Sequence, residues 1–122
     1  MPNSPHKFLI IDHNRDSREL LVRALKRKFP DAELMECEEA GGALVALATK
    51  DVGLTVMHRT FEFDAVSLVT AIRQVSPEMP IIVVSGIDRS EAVIKAGATA
   101  FLNYDEWLML GNLVEKALAG KK

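Results

Sequence analysis

The sequence predicts an α/β fold in which a parallel sheet carries helices on both faces as a three-layer sandwich. Three observations lead there. Five short apolar runs, rich in β-branched residues, alternate with longer segments of helical spacing. The order is a strand followed by a helix, five times over, which a chain satisfies by crossing over into a parallel sheet. At 122 residues and 48% apolar content, the chain is long and hydrophobic enough for one domain with its own core. No internal repeat or linker divides it, so residues 1–122 are read as a single domain with a core from about 7 to 118.

The elements follow in order. Phe8–Asp12 is the first strand. The first helix is expected to start near Asp16, where Asp16 and Glu19 suit a capping box and Leu20, Leu21, Ala24 and Leu25 form one stripe. Lys26, Arg27 and Lys28 suit the negative end of its dipole, and Pro30 stops it. Glu33–Cys37 is the second strand, and Glu39–Thr49 the second helix, with Leu44, Val45, Leu47 and Ala48 facing inward and Gly41 and Gly42 weakening its first turn. Gly53–Met57 is the third strand. Asp64 is the expected N-cap of a helix that buries Ala65, Leu68, Val69 and Ile72. Pro77 and Pro80 bracket the loop to the fourth strand, Ile81–Ser85. A short helix, about Ser90–Ala96, ends at Gly97. Thr99–Leu102 is the last strand. The last helix is expected to begin after Asp105, to bury Leu110, Leu113, Val114, Ala117 and Leu118, and to end at Gly120. All five strands are read as buried on both faces.

Charge narrows the functional classes. A net charge of −2 and the short basic tail Lys121–Lys122 argue against nucleic acid as a direct partner. No apolar run is long enough to cross a bilayer, and the start MPNSPHKF does not read as a signal peptide. The single cysteine, Cys37, is expected to be an inert buried thiol and fits a reducing compartment. A cytoplasmic location is therefore expected, without a membrane partner.

Four stretches together resemble a known family. FLIIDHNRDSRELL is similar to the opening of a response-regulator receiver domain of two-component signalling. VGLTVMHRTFEFDAVSLVTAIR resembles its third strand, active-site loop and third helix, MPIIVVSG its fourth strand, and AGATAFLNYDEW its fifth strand and following turn. The likeness covers about Lys7 to Leu118. It implies a flavodoxin-like (βα)5 fold with strand order 2-1-3-4-5, whose first and third strands end side by side at the topological switch point.

The resemblance also implies a pocket, and here the chain departs from the pattern. Members of the family accept a phosphoryl group on an aspartate ending strand three, hold Mg²⁺ on an acidic pair ending strand one, and bind phosphoryl oxygens with a Ser or Thr and a Lys ending strands four and five. Asp12 matches the first acid, but His13 stands in the place of the second. His58 stands in the place of the acceptor. Ser85 matches the hydroxyl residue, Tyr104 replaces the lysine, and Asp105 replaces the proline usually following it. The loop Arg59–Phe63 lacks the family's Met-Pro, Ala65 replaces a glycine, and the segment from Ser85 to Gly97 is about one helical turn short. The expectation is a degenerate, or pseudo-, receiver: no aspartyl phosphate at this position, no cofactor, no Mg²⁺ binding and no enzymatic activity.

Three chemistries compete for these residues. His58 could accept phosphate as a nucleophile, in a phosphorelay receiver of unusual chemistry, although the ring ends a buried strand. Asp12, His13 and His58 are residue types that bind Zn²⁺ and would make a metal or small-ligand sensor, although neighbours on one strand point to opposite faces. The plainer reading is that the imidazoles fill a vacated pocket and hydrogen-bond to Asp12 or the backbone. Glu62 and Asp64 are poor substitute acceptors. No nucleophile paired with a general base and no glycine-rich phosphate loop is present. Ser85 could help define the loop as a small polar group, or cap the strand end or the helix after Gly86.

Function is then expected to run through protein contacts. Phe101 stands at the family's switch aromatic. Tyr104, Trp107 and Met109 cluster at the start of the last helix, and aromatic residues are frequent interface anchors. The resemblance implies a histidine kinase, an output protein or a second copy as partner, met through the face of helix four, strand five and helix five. The alternative for Phe101 and Trp107 is ordinary core packing.

Overall fold

The computed structural model describes residues 6–58, 64–88 and 90–120. Five strands, β1 (Lys7–Ile11), β2 (Glu33–Cys37), β3 (Leu54–His58), β4 (Ile81–Ser85) and β5 (Ala100–Asn103), form one sheet in the order β2-β1-β3-β4-β5. Every pairing is parallel. This is the flavodoxin-like architecture. The helices are α1 (Arg15–Lys28), α2 (Ala40–Thr49), α3 (Ala65–Val75), α4 (Ser90–Ala96) and α5 (Leu110–Ala119). Among the described residues, no helix is long and apolar enough to cross a membrane.

Side-chain alternation along the strands divides the core in two. Phe8 and Ile10 of β1, Val56 of β3 and Ile82 and Val84 of β4 pack with Leu21 and Leu25 of α1 and with Leu110 and Val114 of α5. Leu9, Ile11, Met57, Ile81 and Val83 face the other way, toward Ala43 of α2, Leu68, Val69 and Ile72 of α3, and Val93 of α4. The three central strands are buried on both faces, but the edge strands are not: Glu33 and Glu36 of β2 are exposed, and in β5 Leu102 alone is buried. A charged edge like that of β2 resists pairing with another sheet.

Two glycines have reasons in this packing. Gly97 has φ +124°, a conformation L side chains rarely adopt, and an added Cβ would lie 2.9 Å from Arg73 Cγ. Gly111 sits where α5 crosses α1, and a Cβ there would meet Lys28 Cβ at 2.8 Å and the Ala24 carbonyl oxygen at 3.1 Å.

Several boundaries differ from the sequence reading. The N-cap of α1 is Asn14, whose side chain accepts from the Ser17 N–H, not Asp16 with Glu19. The last helix does not begin after Asp105. Asn103 caps a 3₁₀ segment, Tyr104–Met109, and α5 starts only at Leu110. On α2, Val45 is 63% exposed and Ala48 is also on the outside, so the inward residues are Ala43 and, in part, Leu44, Ala46 and Leu47. Strands β1, β3 and β5 lie one residue away from their expected bounds.

Candidate functional site

The register of β1 on β3 builds the site. Ile11 lies opposite Met57, so the next residues, Asp12 and His58, arrive side by side at the C-terminal edge of the sheet. Asp12 is fully buried, and the His58 side chain is 12% exposed. His58 Nδ1 stands 3.0 Å from Asp12 Oδ2 and 3.2 Å from Ser17 Oγ. Ser17 Oγ also donates to Asp12 Oδ2 in a short hydrogen bond, and the Asn14 N–H donates to Asp12 Oδ1 at 2.9 Å. A carboxylate only accepts, so Nδ1 facing it is the nitrogen that carries hydrogen.

Arg18 fixes the backbone beneath. Its Nη1 donates to the Asp12 carbonyl at 2.7 Å and its Nε to Glu36 at 2.8 Å, tying the ends of β1 and β2 to α1. From the other side, the Tyr104 ring stacks on His58 with centroids 4.8 Å apart and planes 8° from parallel. Burial, with the nearby negative charges of Asp12 and Asp16, pushes the Tyr104 phenol above its ordinary range. Ser85 is buried, and its Oγ accepts from the Ile87 N–H at 3.1 Å, holding its own loop.

Of the residues singled out from the sequence, the structure therefore brings Asp12, His58 and Tyr104 together. His13 is exposed and stands outside this group, so the three candidate metal ligands do not converge. Among the described residues, no group of three or more His, Cys, Asp or Glu is placed to hold a metal. Phe101 packs against the core on the α2, α3 and α4 side, whereas Tyr104 and Trp107 are half-buried against the α1 and α5 side. Met109 is half exposed, beside Leu108 at 57%. The loop Arg59–Phe63, with Glu62, and the tail Lys121–Lys122 lie outside the described residues. Cys37 is half-buried, not fully buried; burial raises its thiol above the usual range, and the charge of Arg18 offsets part of this.

Sequence reading missed Ser17, Asn14 and Arg18. The first turn of a helix entered directly from a strand end faces the group at that end. Asn14 and Ser17 are spaced as an N-cap and the third residue of such a turn, which was the available signal.

The donor set does not suit Mg²⁺, which wants several hard oxygens. Among the described residues, Asp12 is the one carboxylate in contact with His58 and Ser17, and both of its oxygens already accept hydrogen bonds from the protein. Nor is this a proton relay of the Ser-His-Asp kind, in which Ser and Asp occupy different ring nitrogens. Here both lie against Nδ1, and the Ser17 proton goes to Asp12.

Solved structures with the same fold include response regulators and their receiver domains. The fold is that of response-regulator receiver domains. A two-component response regulator of the LuxR family from Aurantimonas sp. SI85-9A1 aligns at TM-score 0.85 and 22% identity, over 98% of this chain and 89% of that one. The receiver domain of NtrX from Brucella abortus aligns at 0.77 and 22%, over 93% and 99%. HP1043, an orphan response regulator of H. pylori, aligns at 0.80 and 18%, over 96% and 99%. No family model and no curated protein sequence matches the chain.

Proposed function

We propose that this chain is a receiver-like signalling module that works through protein contacts and takes no part in phosphoryl transfer at the end of β3. One observation carries the reading. The position that corresponds to the acceptor aspartate holds His58, and its Nδ1 is already engaged by the buried Asp12 at 3.0 Å beneath the stacked Tyr104. Among the described residues, both oxygens of Asp12 are already taken by the protein's own groups, so Mg²⁺ finds no free carboxylate oxygen there. In this reading the module is not an enzyme and needs no cofactor. The partner is a histidine kinase, an output protein or a second copy. The exposed Leu108 and Met109, next to Trp107, are the apolar side chains offered to it on the 3₁₀ segment.

Thermal unfolding with and without Mg²⁺ plus beryllofluoride, the aspartyl-phosphate mimic, tests this. A ligand at a hundred times its Kd stabilises a domain by about 2.7 kcal/mol. For a chain of this size that is a Tm rise on the order of 10 °C. No shift is expected. A rise that requires both components overturns the reading, as does Mg²⁺-dependent labelling of the intact protein by acetyl phosphate.

A further inference from the structure

Helix α1 is the cationic element of an otherwise acidic chain. Its 14 residues hold six Arg and Lys against two carboxylates, whereas the whole chain carries −2. Several of these cations are engaged. Arg18 pairs with Glu36 and Glu38, Lys28 with Glu115 at 3.2 Å, and Arg15 loosely with Glu19. Lys26 donates to the Ala32 carbonyl at 2.8 Å. Arg23 and Arg27 are exposed, and among the described residues no carboxylate pairs with either. The dipole of α1 accounts for cations in its last turn. It does not account for Arg23, which lies outside that turn and faces Arg27 at i, i+4, where like charges are mildly destabilising.

A groove runs between α1 and α5 at Arg27. Arg27 and Lys28 stand on one side of it, Leu108 and Asn112 on the other, and Ala24 and Gly111 lie where the two elements meet; its volume is about 310 Å³. Leu108 is 57% exposed, so open apolar surface shares the groove with an unpaired guanidinium. Asn112 is exposed as well and offers amide donors and an acceptor. Glu115 is held by Lys28, and the exposed Asp16, Glu19, Asp105 and Glu106 do not line the groove. On α1, Glu19 precedes Arg27 by roughly 12 Å along the axis.

The two sides of the groove select the occupant. A guanidinium takes a carboxylate through two parallel hydrogen bonds, and Leu108 takes an apolar side chain. We propose that the α1–α5 groove docks an acidic peptide segment of a partner protein, with a carboxylate on Arg27 and a neighbouring apolar side chain over Leu108. Arg23, one turn away on the same side of α1, meets a second carboxylate. The groove rests on the reading of this chain as a protein-contact module, and it extends the contact surface from the 3₁₀ segment onto α1. An anionic bilayer is a poorer occupant, because inserting Leu108 brings the exposed Asp105 and Glu106 of the same segment to the headgroups.

Panning a display library of random peptides on the immobilised whole chain provides the test. Selected sequences are expected to place Asp or Glu beside Leu, Ile or Phe. By fluorescence anisotropy, a selected peptide is expected to bind Arg27→Glu about tenfold more weakly than wild type, and Leu108→Ser more weakly as well. Lys95→Glu makes the same change of charge at an exposed position of α4 and is expected to bind like wild type. All three positions are exposed, so each variant is expected to match wild type by circular dichroism. No selected peptide, a consensus without carboxylates, or equal binding by Arg27→Glu overturns the proposal. So does a dimer in sedimentation equilibrium, or binding to phosphatidylserine vesicles, that Arg27→Glu abolishes, since the groove then belongs to a second copy or to a membrane surface. A chain that selects no acidic peptide and shows no beryllofluoride shift loses the groove and keeps the protein-contact reading. One that selects acidic peptides and shows the shift keeps the groove and loses that reading.

Discussion

Truncating His58 to alanine tests whether the imidazole is a structural partner of Asp12. Two contacts disappear. The hydrogen bond from Nδ1 to a fully buried carboxylate at 3.0 Å belongs to the charged class, worth about 1.5–3 kcal/mol. Asp12 keeps the Asn14 N–H and the Ser17 hydroxyl, so its loss belongs at the lower end of that range. The parallel stack on Tyr104 adds about 0.5–1.5 kcal/mol. His58→Ala is therefore expected to lose roughly 2–3 kcal/mol in urea denaturation. His58→Asn is the informative companion. Its amide nitrogen reaches the position of Nδ1 but presents no ring, so it is expected to lose only about 1 kcal/mol, the share of the stack. Equal stability of wild type and His58→Ala refutes the structural role. If both variants lose the same amount, the stack and not the bond to Asp12 holds the pocket.

Three further outcomes follow from other sites. Tyr104 is the only tyrosine, so absorbance near 295 nm follows its ionisation alone, and the folded protein is expected to titrate above the ordinary value of 10.0. The sign for stability follows: above about pH 10 the unfolded chain binds fewer protons at this residue than the native one, so stability falls as pH rises there. An unshifted titration removes the claim that Tyr104 is shielded beside Asp12. Cys37 is expected to react more slowly with a thiol reagent at pH 8 in the native state than in urea, because burial disfavours its thiolate; equal rates contradict this. Gly97→Ala is expected to destabilise by about 1–3 kcal/mol, since φ +124° strains any L side chain and the methyl meets Arg73; a neutral change measured by urea midpoint refutes the constraint.

The sheet was legible because its signal is redundant. Each central strand is a continuous apolar run bounded by turn residues, and β2 and β4 coincide with their predicted bounds. The interior of α2 was not legible. Its sequence is apolar all round, so periodicity cannot tell the buried side from the outer one, and Val45 and Ala48 were assigned the wrong way. The start of α5 failed because two caps compete. Asp105 resembles an N-cap, but Asn103 accepts the Asp105 N–H and initiates a 3₁₀ segment first. In the pocket, strand ends pointed to Asp12 and His58, the resemblance to receiver domains added Tyr104, and the β1–β3 register makes the first two neighbours. Ser17 was readable only through its N-cap spacing from Asn14, a signal that the competing Asp16–Glu19 capping pattern obscured.

The chemistry of the pocket and its stability are linked. A cluster of carboxylates at the ends of β1 and β3 repels itself unless a cation sits among them. In this chain the second carboxylate position at the end of β1 is the exposed His13, and the position at the end of β3 is a ring that donates to Asp12. Three N–H and O–H groups on Asp12 take the place of the cation, and among the described residues every buried side-chain nitrogen and oxygen has a hydrogen-bond partner. On the proposed reading, a carboxylate already satisfied by its own residues is not stabilised further by Mg²⁺. The consequence reaches β5, because Tyr104 follows it directly and is held against His58 by the same arrangement. The segment that carries Trp107, Leu108 and Met109 is thereby fixed to the end of β3 by stacking. On the proposed function, a partner that reads that segment would meet one preset conformation, which suits a constitutive contact better than a switched one.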